Sequence, residues 1–119
     1  MRVRGLAWLG TRTDQFEAMR DFVELLGGER LHEEPDFAVF RLENGDKVEV
    51  FGPGDPWHGF FTTGPVVGLL VDDVPAAQAE LEAAGVGFFG SPESADDGFA
   101  WSPFRGPDGN VYELVSGPF

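Results

Sequence analysis

The chain has 119 residues, 42% of them apolar and twelve of them phenylalanine, with a formal net charge of −13. That length and composition suit one folded domain and exclude a disordered chain. With no cysteine in the sequence, disulfides and thiolate chemistry are excluded as well.

From the N-terminus, Val3 to Thr11 reads as a strand in which Leu6, Trp8 and Leu9 supply bulk. Asp14 and Glu17 have the spacing of an acidic capping box, and Phe16, Met19, Val23 and Leu26 recur at helical spacing until Gly27-Gly28 stops them. Glu29 to Glu34 reads as a polar strand. Phe37 to Leu42 then alternates, Asn44-Gly45 supplies a hairpin turn, and Lys47 to Phe51 returns. Residues 52–64 are rich in glycine and proline and carry Trp57, His58, Phe60 and Phe61, as an exposed linker would.

The plan then repeats. Pro65 to Val71 is a near-continuous apolar strand, and Asp72-Asp73 precedes a helix with Pro75 in its first turn. Val74, Ala77, Leu81 and Ala84 form its apolar stripe, and Gly85 ends it. Val86 to Phe89 reads as a short strand, Ser91 to Gly98 as an acidic loop and Phe99 to Arg105 as a strand. Pro107-Asp108-Gly109-Asn110 is a tight turn before a last strand over Val111 to Val115.

The repetition holds residue by residue. A shift of 64 carries Phe40 onto Phe104, Arg41 onto Arg105, Gly45 onto Gly109 and Glu49 onto Glu113. A shift of 58 carries Asp14 onto Asp72, Glu24 onto Glu82 and Gly27 onto Gly85, and the acidic loop absorbs the difference. The fold expected is therefore α+β: tandem βαβββ modules forming curved mixed sheets with helices on their outer faces. The modules span 1–52 and 65–119, joined by a linker over 53–64.

Glu113 sits inside an apolar strand, and Glu49 occupies the equivalent place in the first half. A carboxylate in such a strand is costly unless something binds it, so both are candidate catalytic or ligand-binding residues. The alternative is structural: each glutamate follows a Phe-Arg pair, and Arg41 and Arg105 are candidate ionic partners. If Glu113 points to one face, Val111 and Val115 share it, while Tyr112 and Leu114 pack against a helix. Trp101 and Phe99 would then wall a cavity.

Two βαβββ modules, the closing FRGPDGNVYELV and one strand glutamate per half resemble the vicinal oxygen chelate superfamily, which includes glyoxalase I, bleomycin-resistance proteins, fosfomycin-resistance enzymes and extradiol dioxygenases. The resemblance covers essentially the whole chain. It implies a cavity enclosed by two modules or formed across a homodimer. In the enzymes of that group it also implies a divalent metal held by His or Gln and Glu, acting as a Lewis acid. Laid on this sequence, the glutamate positions are Glu49 and Glu113, and the histidine positions fall on Ala7 and Val66. Two carboxylates alone do not make the usual three- or four-ligand site, so the expectation is no cofactor and no standard metal site.

His32 lies in the polar second strand and is expected to face solvent. His58 is a candidate pocket residue beside Trp57, because a long linker can fold over a cavity mouth. The ligand-binding candidates are thus Glu49, Glu113, Trp101, Phe99, Arg105, Trp57 and His58. The second half carries Arg105 alone against ten acidic residues, which leaves no basic patch for a nucleic acid; such acidity serves solubility or, on the sharper reading, forms an acidic groove for a small organic ligand of cationic or aromatic character. No run reaches membrane-spanning length, and Met1-Arg2-Val3-Arg4-Gly5 is too short and mixed for a signal peptide. A cytoplasmic protein is expected, with neither a membrane nor a nucleic acid as partner.

Three functions fit: a metal-independent binder of a small molecule, of the bleomycin-resistance kind; an enzyme, namely a lyase, isomerase or dioxygenase-type protein with an atypical metal or a glutamate acid–base site; or a non-catalytic dimeric interaction module.

Overall fold

The computed structural model describes residues 1–62 and 64–119; Thr63, in the expected linker, lies outside the described residues. The order is β1 (Gly5–Arg12), α1 (Phe16–Leu25), β2 (Glu29–Glu34), β3 (Phe37–Arg41), β4 (Lys47–Phe51), β5 (Val66–Leu70), α2 (Val74–Ala83), β6 (Glu93–Ser94), β7 (Ala100–Arg105) and β8 (Val111–Ser116). This is βαβββ twice over, an α+β fold of mixed strands. Among the described residues no helix is long and apolar enough to cross a membrane.

The chain divides into two compact units, one of residues 8–66 and the other of residues 1–7 with 67–119. In the first, the strands lie in the order β2-β3-β4-β1. β1 runs parallel to β4, with Gly10 opposite Glu49, and β3 runs antiparallel to β4, with Val39 opposite Glu49. One face of this sheet closes on α1 through Val23, Ala38, Phe40 and Val50, with Phe16, Met19 and Val48 at the margin. Phe40 and Val50 are fully buried, and each such side chain contributes about 2 kcal/mol relative to exposure.

The second unit repeats the design, in the order β5-β8-β7-β6. β5 runs parallel to β8, with Gly68 opposite Glu113, and β7 runs antiparallel to it, with Pro103 opposite Glu113. Its helix-side core is Val71, Val74, Ala77, Phe104 and Leu114, with Leu69, Leu81 and Tyr112 packed against it. Tyr112 and Leu114 thus face the helix, as the alternation of the strand requires. The hydrogen bonds of the turns repeat at the same shift as the sequence. Leu42 N–H donates to Asp46 and Gly45 N–H to Leu42, while Gly106 donates to Asn110 and Gly109 to Gly106.

Both helices end where glycine permits a left-handed residue, at Gly27 (φ 98°) and Gly85 (φ 93°). Their starts differ. Asp73 caps α2, accepting a hydrogen bond from Ala76 N–H at 3.0 Å. Asp14 does not cap α1: Gln15 holds the N-cap position without a side-chain bond, and the Thr13 hydroxyl accepts from Gln15 N–H at 3.0 Å. Leu26, the last residue of the helical spacing, lies just past the helix end and is 65% exposed.

The second half departs from expectation at its sixth strand. Residues 86–89 form no strand, only an isolated bridge between Phe88 and Phe104. The strand lies instead at Glu93–Ser94, inside the stretch expected to be a loop, pairing with Trp101 and Ala100.

Candidate functional site

In the first unit, register fixes what shares a face with Glu49. On β4 these are Lys47 and Phe51; on β3, Phe37, Val39 and Arg41; on β1, Trp8, Gly10 and Arg12. The rings form one cluster. Phe51 stacks on Phe37 at 5.7 Å and meets the edge of Trp8 at 5.9 Å. Gly10 is small by necessity, since a Cβ there would stand 2.9 Å from ring carbons of Phe51 and Trp8. Glu49 is half-buried in this setting.

Residues 53–61 form a strap over these rings. Its anchor is Asp55, a carboxylate only 8% exposed. Asp55 accepts from Trp57 N–H at 3.3 Å, from His58 N–H at 3.1 Å and from His58 Nδ1 at 2.8 Å. Because an ionised carboxylate only accepts, the proton of that last bond sits on Nδ1. Burial pushes the Asp55 carboxyl up. The hydrogen bond and charge of His58, with the two backbone N–H groups, outweigh burial and hold it below its ordinary value. The imidazole so held stacks on Phe51 at 4.0 Å and lies beside Phe61 at 5.2 Å and Trp8 at 6.4 Å.

His58 therefore lies on the aromatic face that carries Glu49. The linker aromatics divide: Trp57 and Phe60 are 52% and 42% exposed, whereas Phe61, expected to be exposed with them, is buried against Trp8 and Phe51. Arg12 and Asp55 also belong to this site and escaped the sequence reading. Asp55 had a local signal, an Asx residue three positions before a histidine in a glycine-proline stretch. Arg12 had none, because only the β1–β4 register reveals its face.

In the second unit, Glu113 is 2% exposed. It shares its face with Gly68, Pro103, Trp101, Val111 and Val115 by register. Phe99 precedes β7 and packs edge-on against Phe119 at 5.1 Å. The Arg105 guanidinium donates to the Gly109 carbonyl at 2.7 Å and lies over the Phe89 ring. Arg41 meets Glu29 at 3.2 Å. In the turn itself, the Tyr112 hydroxyl and Asn110 N–H bond Asp108 and hold its carboxyl below the ordinary range.

Of the four positions that the resemblance gives to metal ligands, Glu49 and Glu113 alone carry a donor side chain. The residues opposite Glu49 and Glu113 on the neighbouring parallel strands are Gly10 and Gly68, which have no donor to offer. Ala7 and Val66 are buried and apolar. Among the described residues, no three His, Asp or Glu side chains come together as a metal would need.

The family model described as Glyoxalase/Bleomycin resistance protein/Dioxygenase superfamily matches residues 5–114. Among solved structures, methylmalonyl-CoA epimerase from Mycobacterium tuberculosis superposes with a TM-score of 0.76 at 19% identity, over 98% of this chain and 90% of that one. A superfamily member from Vibrio splendidus 12B01 gives a TM-score of 0.65 at 22% identity, over 92% and 96%. The Mn(II)-bound glyoxalase from Novosphingobium aromaticivorans gives 0.71 at 25% identity, over 97% of this chain but 39% of that one. No curated protein matches the chain.

Proposed function

The chain belongs to the Glyoxalase/Bleomycin resistance protein/Dioxygenase superfamily, and from that premise we propose that it binds a small, flat organic molecule where the strap meets the Glu49 face of the first unit, without the metal of the family's enzymes. The observation that carries this reading is the buried Asp55, whose hydrogen bonds serve to fix a histidine on an otherwise aromatic sheet face. Packing alone would be served by an apolar side chain there, since a buried ionised group is costly to place. Half-exposed Trp57 and Phe60 supply aromatic surface on either side of His58.

The overall acidity favours a cation at long range. The face itself carries Arg12 and Lys47 beside Glu49, and so does not single one out.

Two measurements test the proposal. Calorimetry with zinc, nickel, manganese and magnesium is expected to show no stoichiometric uptake. A thermal-shift screen of flat aromatic compounds is expected to find stabilising ligands whose binding weakens about tenfold or more in His58→Ala, the order expected for a lost polar contact. Metal uptake near one per chain, or ligands indifferent to His58, would remove this reading.

A further inference from the structure

Two layers of rings meet beneath the strap. Trp8 and Phe51 belong to the sheet and leave it on the Glu49 face, whereas His58 and Phe61 belong to the strap. The His58 ring stacks on Phe51 with centroids 4.0 Å apart and planes inclined by 25°. Phe61 lies 5.7 Å from Phe51 and 6.0 Å from Trp8. Phe51 is fully buried, Trp8 is 4% exposed and Phe61 2% exposed, so these rings show almost no open surface. A flat molecule that stacks on the sheet rings has to part the layers first.

The strap has the construction of a flap. Its root is pinned: Gly52 N–H donates to the Asp36 carbonyl at 2.8 Å, Arg12 Nη2 donates to the Pro53 carbonyl at 3.3 Å, and a Cβ at Gly52 or Gly54 would run into the Asp36 carboxylate. Beyond the root it braces itself. Asp55 N–H donates to the Gly52 carbonyl and Phe61 N–H to the His58 carbonyl, both at 3.1 Å, and the Asp55 carboxylate holds Trp57 N–H, His58 N–H and His58 Nδ1. Those bonds join the strap and its root to each other, so lifting the strap does not require breaking them. Between the four rings the contact is apolar and aromatic, which has no single obligatory partner and can be remade on another flat ring. At the tip Gly59 is unobstructed, since a Cβ there would meet nothing within 4 Å.

We infer, resting on the ligand site proposed above, that a flat aromatic ring enters between the two layers, with Trp8 and Phe51 on one side of it and His58 and Phe61 on the other. Residues 55–61 lift by about the thickness of a ring and close again over it. The direct Phe51–His58 stack gives way to a sandwich in which the ligand turns one face to each. Such a slot selects by thickness rather than by charge, in keeping with a face that carries Arg12, Lys47 and Glu49 together. A planar ring fills it with both faces in contact. A puckered ring of the same carbon skeleton holds the layers apart and forfeits part of that contact. The strap is then also the cover that shuts the site in the free chain, and its opening precedes binding.

The probes are naphthalene-2-methanol and its fully hydrogenated counterpart, decahydronaphthalene-2-methanol, which share a carbon skeleton and a hydroxyl and differ in thickness. Apolar burial alone would favour the saturated compound, whose surface is the larger. The wild-type chain is expected instead to bind the planar one about tenfold or more tightly by calorimetry. In nuclear Overhauser spectra the cross-peak between the Phe51 and His58 rings of the free chain should vanish in the complex, replaced by cross-peaks from the naphthalene protons to both rings. Phe61→Leu keeps apolar bulk but loses a ring, and should cut the planar preference severalfold. Should Phe61→Leu fail to fold by circular dichroism, the two-compound comparison and the cross-peaks still decide. Equal affinity for the two compounds, or a complex that keeps the Phe51–His58 cross-peak, would overturn the slot and leave the ligand site standing on its His58→Ala test. Binding of neither compound would overturn the slot too, while the wider screen of flat compounds decides the ligand site separately.

Discussion

A methyl group at Gly10 would stand 2.9 Å from ring carbons of Phe51 and Trp8, and both rings are packed and nearly inaccessible. Gly10→Ala is therefore expected to lower the unfolding free energy by about 1–3 kcal/mol, the usual cost of overpacking; an unchanged urea midpoint would mean the rings can yield. Asp55 acts through charge instead. Replacing it by alanine removes three hydrogen bonds to a carboxylate that is all but buried, and about 1.5–3 kcal/mol is expected to go with them. The same carboxylate sets a pH dependence. Its folded pKa lies below the ordinary value, so its contribution is full above the ordinary carboxylate range and is lost as pH falls through the depressed value. Melting curves from about pH 7 to about pH 3 should fall more steeply for the wild type than for Asp55→Asn. Parallel curves would sink that account.

Between elements, the two helix starts offer a direct contrast. Asp73→Ala removes a side-chain cap and should cost about 1 kcal/mol. Asp14→Ala removes none and should stay within about 0.5 kcal/mol. Equal effects in chemical denaturation would contradict the capping assignment. The same contrast marks what the amino-acid order made legible. Strands with strict alternation, such as Phe37 to Arg41, and turns with glycine at the required place were readable, because period and turn chemistry act locally. Asp14 misled because two acceptors, Asp14 and Thr13, compete for one helix start, and local spacing does not rank them. Glu93–Ser94 went unread because two residues have no period; their pairing is dictated by Trp101 and Ala100. Of the site, Glu49 was visible as an anomaly within a strand, whereas Arg12 depends on register and the grip of Asp55 on His58 depends on how the strap turns.

For the whole chain, charge and duplication are the governing features. With a net charge of −13, self-repulsion outweighs the exposed ion pairs, which contribute little individually. Raising sodium chloride from about 0.01 M to about 0.15 M, where the screening length falls to about 8 Å, should raise the melting temperature; a fall would mean that the Arg20–Glu33 and Arg30–Glu24 pairs dominate. Duplication reaches down to single hydrogen bonds. Thr13 N–H donates to Phe51 in one half as Val71 N–H donates to Val115 in the other, both at 2.9 Å.

The hydrogen bond from Arg4 N–H to the Leu70 carbonyl, at 2.8 Å, joins residues far apart in the order of synthesis. Residues 1–7 group with residues 67–119, so they must wait for residues that are synthesised well after them. Until Leu70 emerges, Arg4 has no strand to join and Asp72 is not there to meet its guanidinium. Residues 8–66 can gather their contacts first. Closing so long a loop is slow compared with local pairing, which makes the docking of the N-terminal segment the expected late event in folding.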